Sequence, residues 1–531
     1  MTGQSETQVQ IEPGGIRRWL TSIHHGLFVI CLLGSGSGVW ALVTDMELVH
    51  TLHEPQAEHI TQEALNTIAD PKERFITAFE VGDELFETVF NALDGVGAHV
   101  GAGLRFTRIP RMDLSSLGEW ATHQPLRPTG PNAQACDVCH RLPVGTAAGP
   151  AETNVLRDPL RTGDLSQMIT RNTPHLFASG AIQRLAEEMT TQLQIIRDQA
   201  IADTCTTREQ TTRELLAKGV RFGRITVMAP DRQEECVPEL DTSELDGVDA
   251  DLIVKPFQWK GSDRTIRDFN RNAAHHEIGM QAVELVGDEV DGDFDGVVQE
   301  LTVGDITALT IYVAGQPRPV TQIELAQLGL IELSQEAAAT INRGERVFDQ
   351  IGCTNCHRSR LLLDDPIFHE PSQQPAYRDS VFPGGQDPIA RGVDPSHPVS
   401  FDLTQDPPDN TFFTISGEEV RLAALKRNDQ GRAMVELYGD LKRHDMGPGL
   451  AEPVDEVGTG DAVFLTENLW GVGSTAPYLH DGRATTLTEA ILEHGGEAAP
   501  TKEVFVNLEI PDQEALIAFL KNLVLIKVGE E

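Results

Sequence analysis

The sequence Cys-x-x-Cys-His occurs twice in this chain and constrains its fold more than any other feature. The two motifs comprise Cys136, Cys139 and His140, and Cys353, Cys356 and His357. Two thiols at this spacing can each form a thioether with a porphyrin vinyl group, while the adjacent imidazole reaches the iron. A zinc half-site would need a second ligand pair, and a dithiol redox motif normally opens a βαβ unit. We therefore predict two covalently bound haem c groups.

The balance of charge is strongly acidic. In 531 residues, 81 Asp and Glu oppose 42 Lys and Arg, for a formal net charge of −39. This charge repels phosphate backbones, so we expect no nucleic-acid partner. It could steer a small basic electron-carrier protein towards the surface, or it could simply maintain solubility in a salty environment.

The N-terminal segment has the charge pattern of an export signal. Arg17 and Arg18 precede an apolar stretch over residues 27–43, and this order is typical of secreted proteins. The stretch is short and contains several glycines, which favours a cleaved signal over a spanning helix. No clean cleavage site follows it, so an uncleaved anchor stays open. We expect residues 1–50 to be an export signal or membrane anchor, with a periplasmic protein that contacts the membrane only if the segment is uncleaved.

Two further cysteines, Cys205 and Cys236, lie outside both the haem motifs and the apolar stretch. In an oxidising compartment they could form a disulfide. Two free thiols are the alternative, and the sequence does not separate these readings.

An internal repeat surrounds the two haem motifs. Residues 82–86 and 344–348 both have the apolar spacing of an amphipathic helix that leads to a motif. Residues 256–266 match residues 477–487 without gaps. A third match indicates a closing helix in each half of the chain. The spacing of Asp305, Leu309 and Tyr312 is repeated by Asp512, Leu516 and Phe519.

The repeat predicts a mainly α fold with two cytochrome c-like helical domains in tandem. We expect them to span residues 51–320 and 321–531. Alternation over residues 219–228 predicts a small β-containing insertion in the first domain. Long loops are expected at residues 94–131 and 364–409, which are rich in Gly, Pro and Asp.

The whole pattern resembles the bacterial di-haem cytochrome c peroxidase superfamily, and especially its larger branch of di-haem oxidoreductases. Besides both haem motifs, the resemblance rests on residues 171–177, 256–261, 277–280, 444–447 and 475–482, and it covers roughly residues 75–530. It implies that the C-terminal haem accepts electrons and passes them to the N-terminal haem, where peroxide is reduced. It also implies a calcium ion between the domains.

The resemblance assigns the iron ligands. His140 and His357 become the proximal ligands, and Met446 becomes the sixth ligand of the second haem, with His444 as a competitor. A thioether ligand favours reduced iron and raises its potential. The family's simple members have a histidine shortly after the first motif, whereas here none occurs between His140 and His175. The first iron therefore has either an open sixth site or a ligand from elsewhere, and His175 is either that ligand or a packing residue.

Two catalytic residues also follow from the resemblance. Trp259 has the position of a tryptophan that relays an electron between the haems, although a buried Trp can equally be a core residue. Glu277 is the candidate distal acid, which moves a proton from the inner to the outer oxygen of peroxide. The alternative for Glu277 is a solvated helix carboxylate.

A separate calcium loop is predicted at Asp291, Asp293 and Asp295, which have the one-three-five spacing of such loops. Position twelve departs from the pattern because Thr302 replaces the bidentate Glu, although Glu300 is near. An acidic turn without calcium is the alternative.

Together these features predict an exported di-haem c-type oxidoreductase that reduces hydrogen peroxide. Its electron donor would be a small redox protein, either a cytochrome c or a cupredoxin. One alternative is a peroxide-dependent di-haem enzyme that oxidises a protein substrate. The other is a non-enzymatic di-haem electron-transfer protein, whose irons would both be six-coordinate.

Overall fold

A computed structural model describes the following residues: 54–97, 99–100, 104–105, 131–157, 159–160, 164–229, 236–293, 295–408, 413–415, 418–420 and 422–527. The predicted export segment and most of the predicted loop at residues 94–131 lie outside this set. Among the described residues, no helix combines the length and hydropathy needed to span a bilayer.

The chain divides into two units. One comprises Met1–Glu54 and Phe412–Val420, and the other comprises Pro55–Thr411 and Arg421–Glu531. Little of the first unit is described beyond two short paired strands, whereas the second contains both haem motifs. The predicted division into residues 51–320 and 321–531 stays a prediction.

The helices are α1 (Gln62–Thr67), α2 (Pro71–Glu87), α3 (Ser179–Thr207), α4 (Ile266–Ala273), α5 (Val283–Val286), α6 (Val303–Ala314), α7 (Gln322–Gln327), α8 (Gln335–Gln350), α9 (Leu487–Glu493), α10 (Ala499–Val506) and α11 (Ile510–Asn522). A π-helical turn, Ala274–Ile278, continues α4.

The strands are β1 (His99–Val100), β2 (Leu104–Arg105), β3 (Val155–Arg157), β4 (Ile169–Arg171), β5 (Thr211–Ala217), β6 (Val220–Met228), β7 (Glu239–Asp241), β8 (Val320–Thr321), β9 (Leu361–Leu363), β10 (Ile367–Glu370), β11 (Val399–Asp402), β12 (Phe413–Ile415), β13 (Glu418–Val420), β14 (Lys426–Arg427), β15 (Ala433–Val435), β16 (Arg443–Asp445), β17 (Val463–Leu465) and β18 (Leu523–Val524).

The prediction of a mainly α fold was wrong. Of the described residues, 36% are helical and 14% lie in strands, and the strands form several separate sheets of two or three strands each. Two tandem cytochrome c-like helical domains are not evident. Most strands have two to four residues, too few for alternation to reveal them. Segments expected to be loops instead pair with each other, as β10 does with β11.

Two helix pairs nevertheless pack in the same way. Gly82 of α2 lies so close to α6 that a Cβ there would collide with the backbone of Ala308, and Gly344 of α8 meets Ala515 of α11 in the same manner. Glycine permits this close approach because it has no side chain. In both halves of the chain, the helix of the first repeat match therefore packs against the helix of the third match.

The gapless second match also has the same backbone conformation twice. Phe257 pairs with Asp263 in an antiparallel bridge, and Tyr478 pairs with Ala484 at the equivalent positions. Each segment ends in a threonine cap, since the hydroxyls of Thr265 and Thr486 accept a backbone N–H of α4 and α9.

The predicted β insertion is present in the first half. β5, β6 and β7 form an antiparallel sheet, in which β6 covers most of the predicted residues 219–228. A two-residue turn, Lys218 and Gly219, joins β5 to β6 with positive φ at both positions, as such hairpins require. Cys205 at the end of α3 forms a disulfide with Cys236, in agreement with one of the two sequence readings.

Two apolar cores position the haem motifs. The larger lies around α2, α3 and α6 and extends to the sheets of the second half. The smaller gathers α8, α9 and α11 around Phe348 and Phe519. Each core thus contains one of the two repeated helix pairs.

Candidate haem-binding site

The first haem motif is hydrogen-bonded to the C-terminal end of α2. The backbone N–H of Cys136 donates to the carbonyl of Phe86, and that of His140 donates to the carbonyl of Cys136, each at 3.1 Å. The His140 ring donates from Nδ1 to the carbonyl of Ala147 at 3.2 Å. This hydrogen bond selects the tautomer that leaves Nε2 as an acceptor, the atom needed for a metal. Burial lowers the pKa of His140 to about 4, so the imidazole is neutral.

The second motif has the same arrangement. The backbone N–H of His357 donates to the carbonyl of Cys353 at 2.9 Å, and the ring donates from Nδ1 to the carbonyl of Tyr438 at 3.0 Å. Burial, together with nearby His494, lowers the pKa of His357 to about 4. Both histidines therefore present a neutral Nε2.

Aromatic side chains hold each imidazole in an equivalent place. The ring centroid of Phe86 lies 6.1 Å from that of His140, and the ring of Phe348 lies 6.4 Å from that of His357. Phe86 also packs on Tyr312, and Phe348 on Phe519, with centroids 5.3 Å apart in both cases. The closing helices α6 and α11 thus support the two histidines from the same side.

A cavity of about 260 Å³ adjoins the second motif. Its lining includes Cys353, Cys356, His357 and Met446, together with apolar residues of α9 and α11 such as Leu487 and Leu520. Two thiols, a neutral imidazole and a thioether around a largely apolar space form the donor set that a covalently bound haem requires. The residues therefore fit haem c at this site.

A smaller cavity of about 60 Å³ is the repeat equivalent of the first. Its lining residues Ile266, Phe269 and Val313 occupy the positions that Leu487, Ala490 and Leu520 hold in the larger cavity. The residues of the first motif do not line this smaller space. The equivalence makes it a candidate for part of the haem site in the first half.

The two cavities have six lining residues in common, which we call the shared wall: Pro174, His175, Trp259, Leu465, Glu467 and Asn468. Two hydrogen bonds fix Trp259, one through its side chain and one through its backbone carbonyl. Its indole Nε1 donates to the carbonyl of Asn172, and its own carbonyl accepts from the N–H of Leu465, both at 2.9 Å. The tryptophan singled out from the sequence therefore contacts both candidate haem sites.

His444 and Met446 differ in their availability as ligands. The His444 ring contacts Asp440 at Nε2 and Glu497 at Nδ1, at 2.9 and 2.8 Å. Burial alone would lower the pKa of His444, but hydrogen bonding, chiefly to Asp440, raises it to about 11. A cationic ring with both nitrogens engaged is unsuited to bind iron. Met446, in contrast, lines the larger cavity.

Glu277 lies near the first motif, in the π-helical turn Ala274–Ile278. Its carboxylate accepts from Nδ2 of Asn132 at 2.5 Å, and after burial it is the next cause that raises the pKa of Cys139. The side chain is half-buried. Glu277 does not line either of the two cavities, so its role as a proton donor stays a prediction.

His175, the alternative ligand of the first iron, belongs to the shared wall. Its Nε2 donates to the carbonyl of Trp470 at 3.0 Å. Burial lowers the pKa of His175 to about 4. This hydrogen bond leaves Nδ1 as an acceptor, and Nδ1 is buried without a hydrogen-bond partner, so both interpretations of His175 stay open.

A buried ionic cluster beside the cavities was missed by the sequence reasoning. The guanidinium of Arg171 forms ion pairs with Glu452 and Glu456, and Arg157 also contacts Glu456. Lys260, next to Trp259, donates to the carbonyls of residues 460 and 461 and lies 3.6 Å from Glu452. Arg171 and Lys260 stand in motifs already noted, but only the fold brings them to these acids.

One known sequence family matches part of this chain. Residues 392–523 match the sequence family described as "Di-haem oxidoreductase, putative peroxidase". This stretch is similar to that family and includes Met446, but it contains neither haem motif. The recognition made from the sequence is confirmed there, and a haem cofactor is implied by the family. No curated protein matches the chain.

Two solved structures illustrate how far overall similarity extends. Hydrazine synthase of Kuenenia stuttgartiensis is 12% identical, with a TM-score of 0.32, and the match covers 94% of this chain and 100% of the other. A MauG-like protein associated with microbial copper homeostasis is 17% identical, with a TM-score of 0.25, and the match covers 50% of this chain and 68% of the other. These scores are too low to support a common fold.

The predicted calcium loop brings its three acids together. Carboxylate oxygens of Asp291, Asp293 and Asp295 lie within 4.8 Å of one another. The Asp291 carboxylate accepts the backbone N–H of Asp295 and of Gly296, each at 3.1 Å. Carboxylates can cluster without an ion, so calcium binding here stays a prediction.

Proposed function

We propose that this protein is an exported di-haem oxidoreductase that holds two haem c groups and reduces hydrogen peroxide to water. The observation that carries the proposal is the pair of repeat-equivalent cavities with a shared wall, one of them lined by His357 and Met446. When bound, the haems supply electron storage and the centre at which the O–O bond is cleaved.

The protein residues of the proposal have distinct tasks. Cys136, Cys139, Cys353 and Cys356 form the thioether bonds, and His140 and His357 bind iron through Nε2. Their Nδ1 hydrogen bonds to backbone carbonyls orient the rings and keep them neutral. Met446 is the sixth ligand at the C-terminal site, where its thioether raises the reduction potential.

Electrons enter at the C-terminal haem and leave through the shared wall. Support comes from Trp259, which lines both cavities and offers a polarisable ring between them. The donor is a small basic redox protein, a cytochrome c or a cupredoxin, because a net charge of −39 attracts cationic partners.

Proton transfer at the N-terminal haem is assigned to Glu277. Peroxide reduction needs a group that takes a proton from the inner oxygen and returns it to the outer oxygen. The short hydrogen bond from Asn132 supports this role because it holds the carboxylate beside the first motif.

The proposal also includes export from the cytoplasm and a bound calcium ion. The charged and apolar segment at residues 1–50 is the signal or anchor, and the Cys205–Cys236 disulfide supports an oxidising compartment such as the periplasm. Asp291, Asp293 and Asp295 bind a calcium ion through their clustered carboxylates.

The test uses the purified full chain with its cofactors. We expect a c-type optical spectrum with two haems per chain and rapid oxidation of a reduced cytochrome c when peroxide is added. Modification of a protein substrate without cytochrome oxidation would establish the alternative peroxide-dependent enzyme. Two six-coordinate irons that neither bind cyanide nor react with peroxide would establish an electron carrier and contradict the proposal.

A further inference from the structure

The shared wall contains an acid that the proposed function does not use. The segments that form it are themselves a repeat, because residues 173–180 align with residues 466–473 without gaps. Ala178 and Gly471 hold equivalent places with positive φ, 57° and 86°. In this alignment Glu467 stands where the first half has Pro174. A carboxylate therefore replaces an apolar ring at the boundary between the two candidate haem sites.

Few partners surround this carboxylate. The backbone N–H of Asn468 donates to it, and burial raises the pKa of Glu467 to about 7. Within the part of the chain that the structure describes, no basic side chain pairs with Glu467. Its side chain is half-buried, and it lines both cavities. A carboxyl group with this pKa exchanges a proton with the cavities close to neutral pH.

Burial keeps four of the histidines around the larger cavity neutral. Burial lowers the pKa of four histidines that line the larger cavity, three of them to about 4: His175, His357, His480 and His494. They are therefore neutral at pH 7. His175 also lines the smaller cavity and is the one member of this set in the shared wall.

Two of the remaining charges near the cavities are held by other groups. His444 is held as a cation by Asp440 and contacts Glu497. Lys260, beside Trp259, is bound to backbone carbonyls and Glu452. Lys502 also lines the larger cavity, at its α10 edge. Glu467 differs from these groups because its carboxyl group lines both cavities and has a pKa of about 7.

We propose that Glu467 binds a proton when an electron enters the C-terminal haem site and releases it when the electron moves on. The inference rests on the proposed function, because it requires haem at that site. An electron lowers the charge of the metal centre by one, and this loss of nearby positive charge favours the neutral form of a carboxylic acid. The effect grows as water is excluded, because charges interact more strongly where the dielectric constant is low.

The proposed step balances in electrons and atoms. The donor protein loses one electron and the iron gains it, while a carboxylate oxygen of Glu467 gains one proton from water and forms an O–H bond. When the electron passes to the N-terminal site, this O–H bond breaks and the proton is released. Reduction of peroxide to two waters consumes two electrons and two protons, so such a step delivers protons together with electrons.

The experiment measures the reduction potential of the C-terminal haem against pH in the full holoprotein. Spectroelectrochemical titrations run from about pH 5 to about pH 9, which brackets the pKa of Glu467. The variants are Glu467→Gln, which keeps the shape of the side chain, and Glu503→Gln, which removes one exposed acid of α10 as the matched control.

In the wild type we expect the potential to fall as pH rises near and above neutrality, with a slope approaching one proton per electron. Glu467→Gln removes that slope, whereas Glu503→Gln retains it. A flat wild-type profile overturns the inference, as does a slope that survives in Glu467→Gln. Either result leaves the proposed function intact if two haems and peroxide turnover are present.

A second measurement needs no variant. In the wild type, the reduced-minus-oxidised infrared difference spectrum gains a carbonyl band of a protonated carboxylic acid, and this band shifts in heavy water. Absence of the band overturns the inference even if Glu467→Gln fails to mature. If the optical spectrum lacks c-type haem altogether, the proposed function itself fails, and this outcome is recognised before any potential is measured.

Discussion

The indole Nε1 of Trp259 donates to the backbone carbonyl of Asn172, 2.9 Å away. This hydrogen bond links residues 256–266, the first copy of the second repeat match, to the segment that leads into the shared wall. The ring consequently has one orientation, in which it lines both candidate haem sites. A ring fixed in this way is suited to carry an electron with little reorganisation.

Replacement of Trp259 by Phe should slow electron transfer between the haems. We expect peroxide-dependent turnover to fall by roughly 10-fold, equivalent to about 1.4 kcal/mol in the activation free energy, with both haem spectra unchanged. Stopped-flow oxidation of the reduced protein measures the rate. Trp470→Phe is the matched control, since Trp470 is a buried tryptophan that lines neither cavity. Equal rates in the wild type and Trp259→Phe would assign Trp259 to the core alone.

Met446→Ala should lower the reduction potential of the second haem, because a thioether ligand stabilises reduced iron. Potentiometric titration checks the change. Met434→Ala removes a thioether from β15, which does not line the cavity, and should leave the potential in place. An unchanged potential in Met446→Ala would mean that another group binds the iron.

Glu277→Gln should reduce peroxide turnover by roughly 100-fold while both haem spectra remain intact, because the amide cannot exchange a proton with peroxide. Steady-state oxidation of a reduced cytochrome measures the loss. Glu336→Gln, at an exposed position of α8, is the control and should retain full turnover. A fully active Glu277→Gln variant would return Glu277 to the solvated-carboxylate interpretation.

Calcium should raise the melting temperature of the protein if the acidic loop binds it. At a free calcium concentration 100 times the dissociation constant, binding stabilises the folded state by about 2.7 kcal/mol. Differential scanning calorimetry with calcium or with a chelator measures the shift. Asp293→Asn should remove the response, whereas Asp349→Asn, at the end of α8, should keep it. An unchanged melting temperature would mean that the loop is an acidic turn that does not bind calcium.

Some of these features could be predicted from the sequence because they depend on neighbours in the chain. The haem motifs, the cap residues Thr265 and Thr486, and the turn before β6 all have local signatures. The short strands could not be predicted, since β9 pairs with β15 some 70 residues later. Glu467 was overlooked because its burial comes from tertiary packing, whereas its local sequence is unremarkable.

The crossing of α8 and α11 offers a direct test of the repeated helix pair. Gly344→Ala places a methyl group against the backbone of Ala515 and should destabilise the fold by about 1 to 3 kcal/mol, as overpacking generally does. Gly449→Ala is the matched control because a Cβ there meets nothing within 4 Å. Chemical denaturation of both variants measures the difference. Equal stability would show that α8 can move away from α11, and Phe348 would then not be held rigidly against His357.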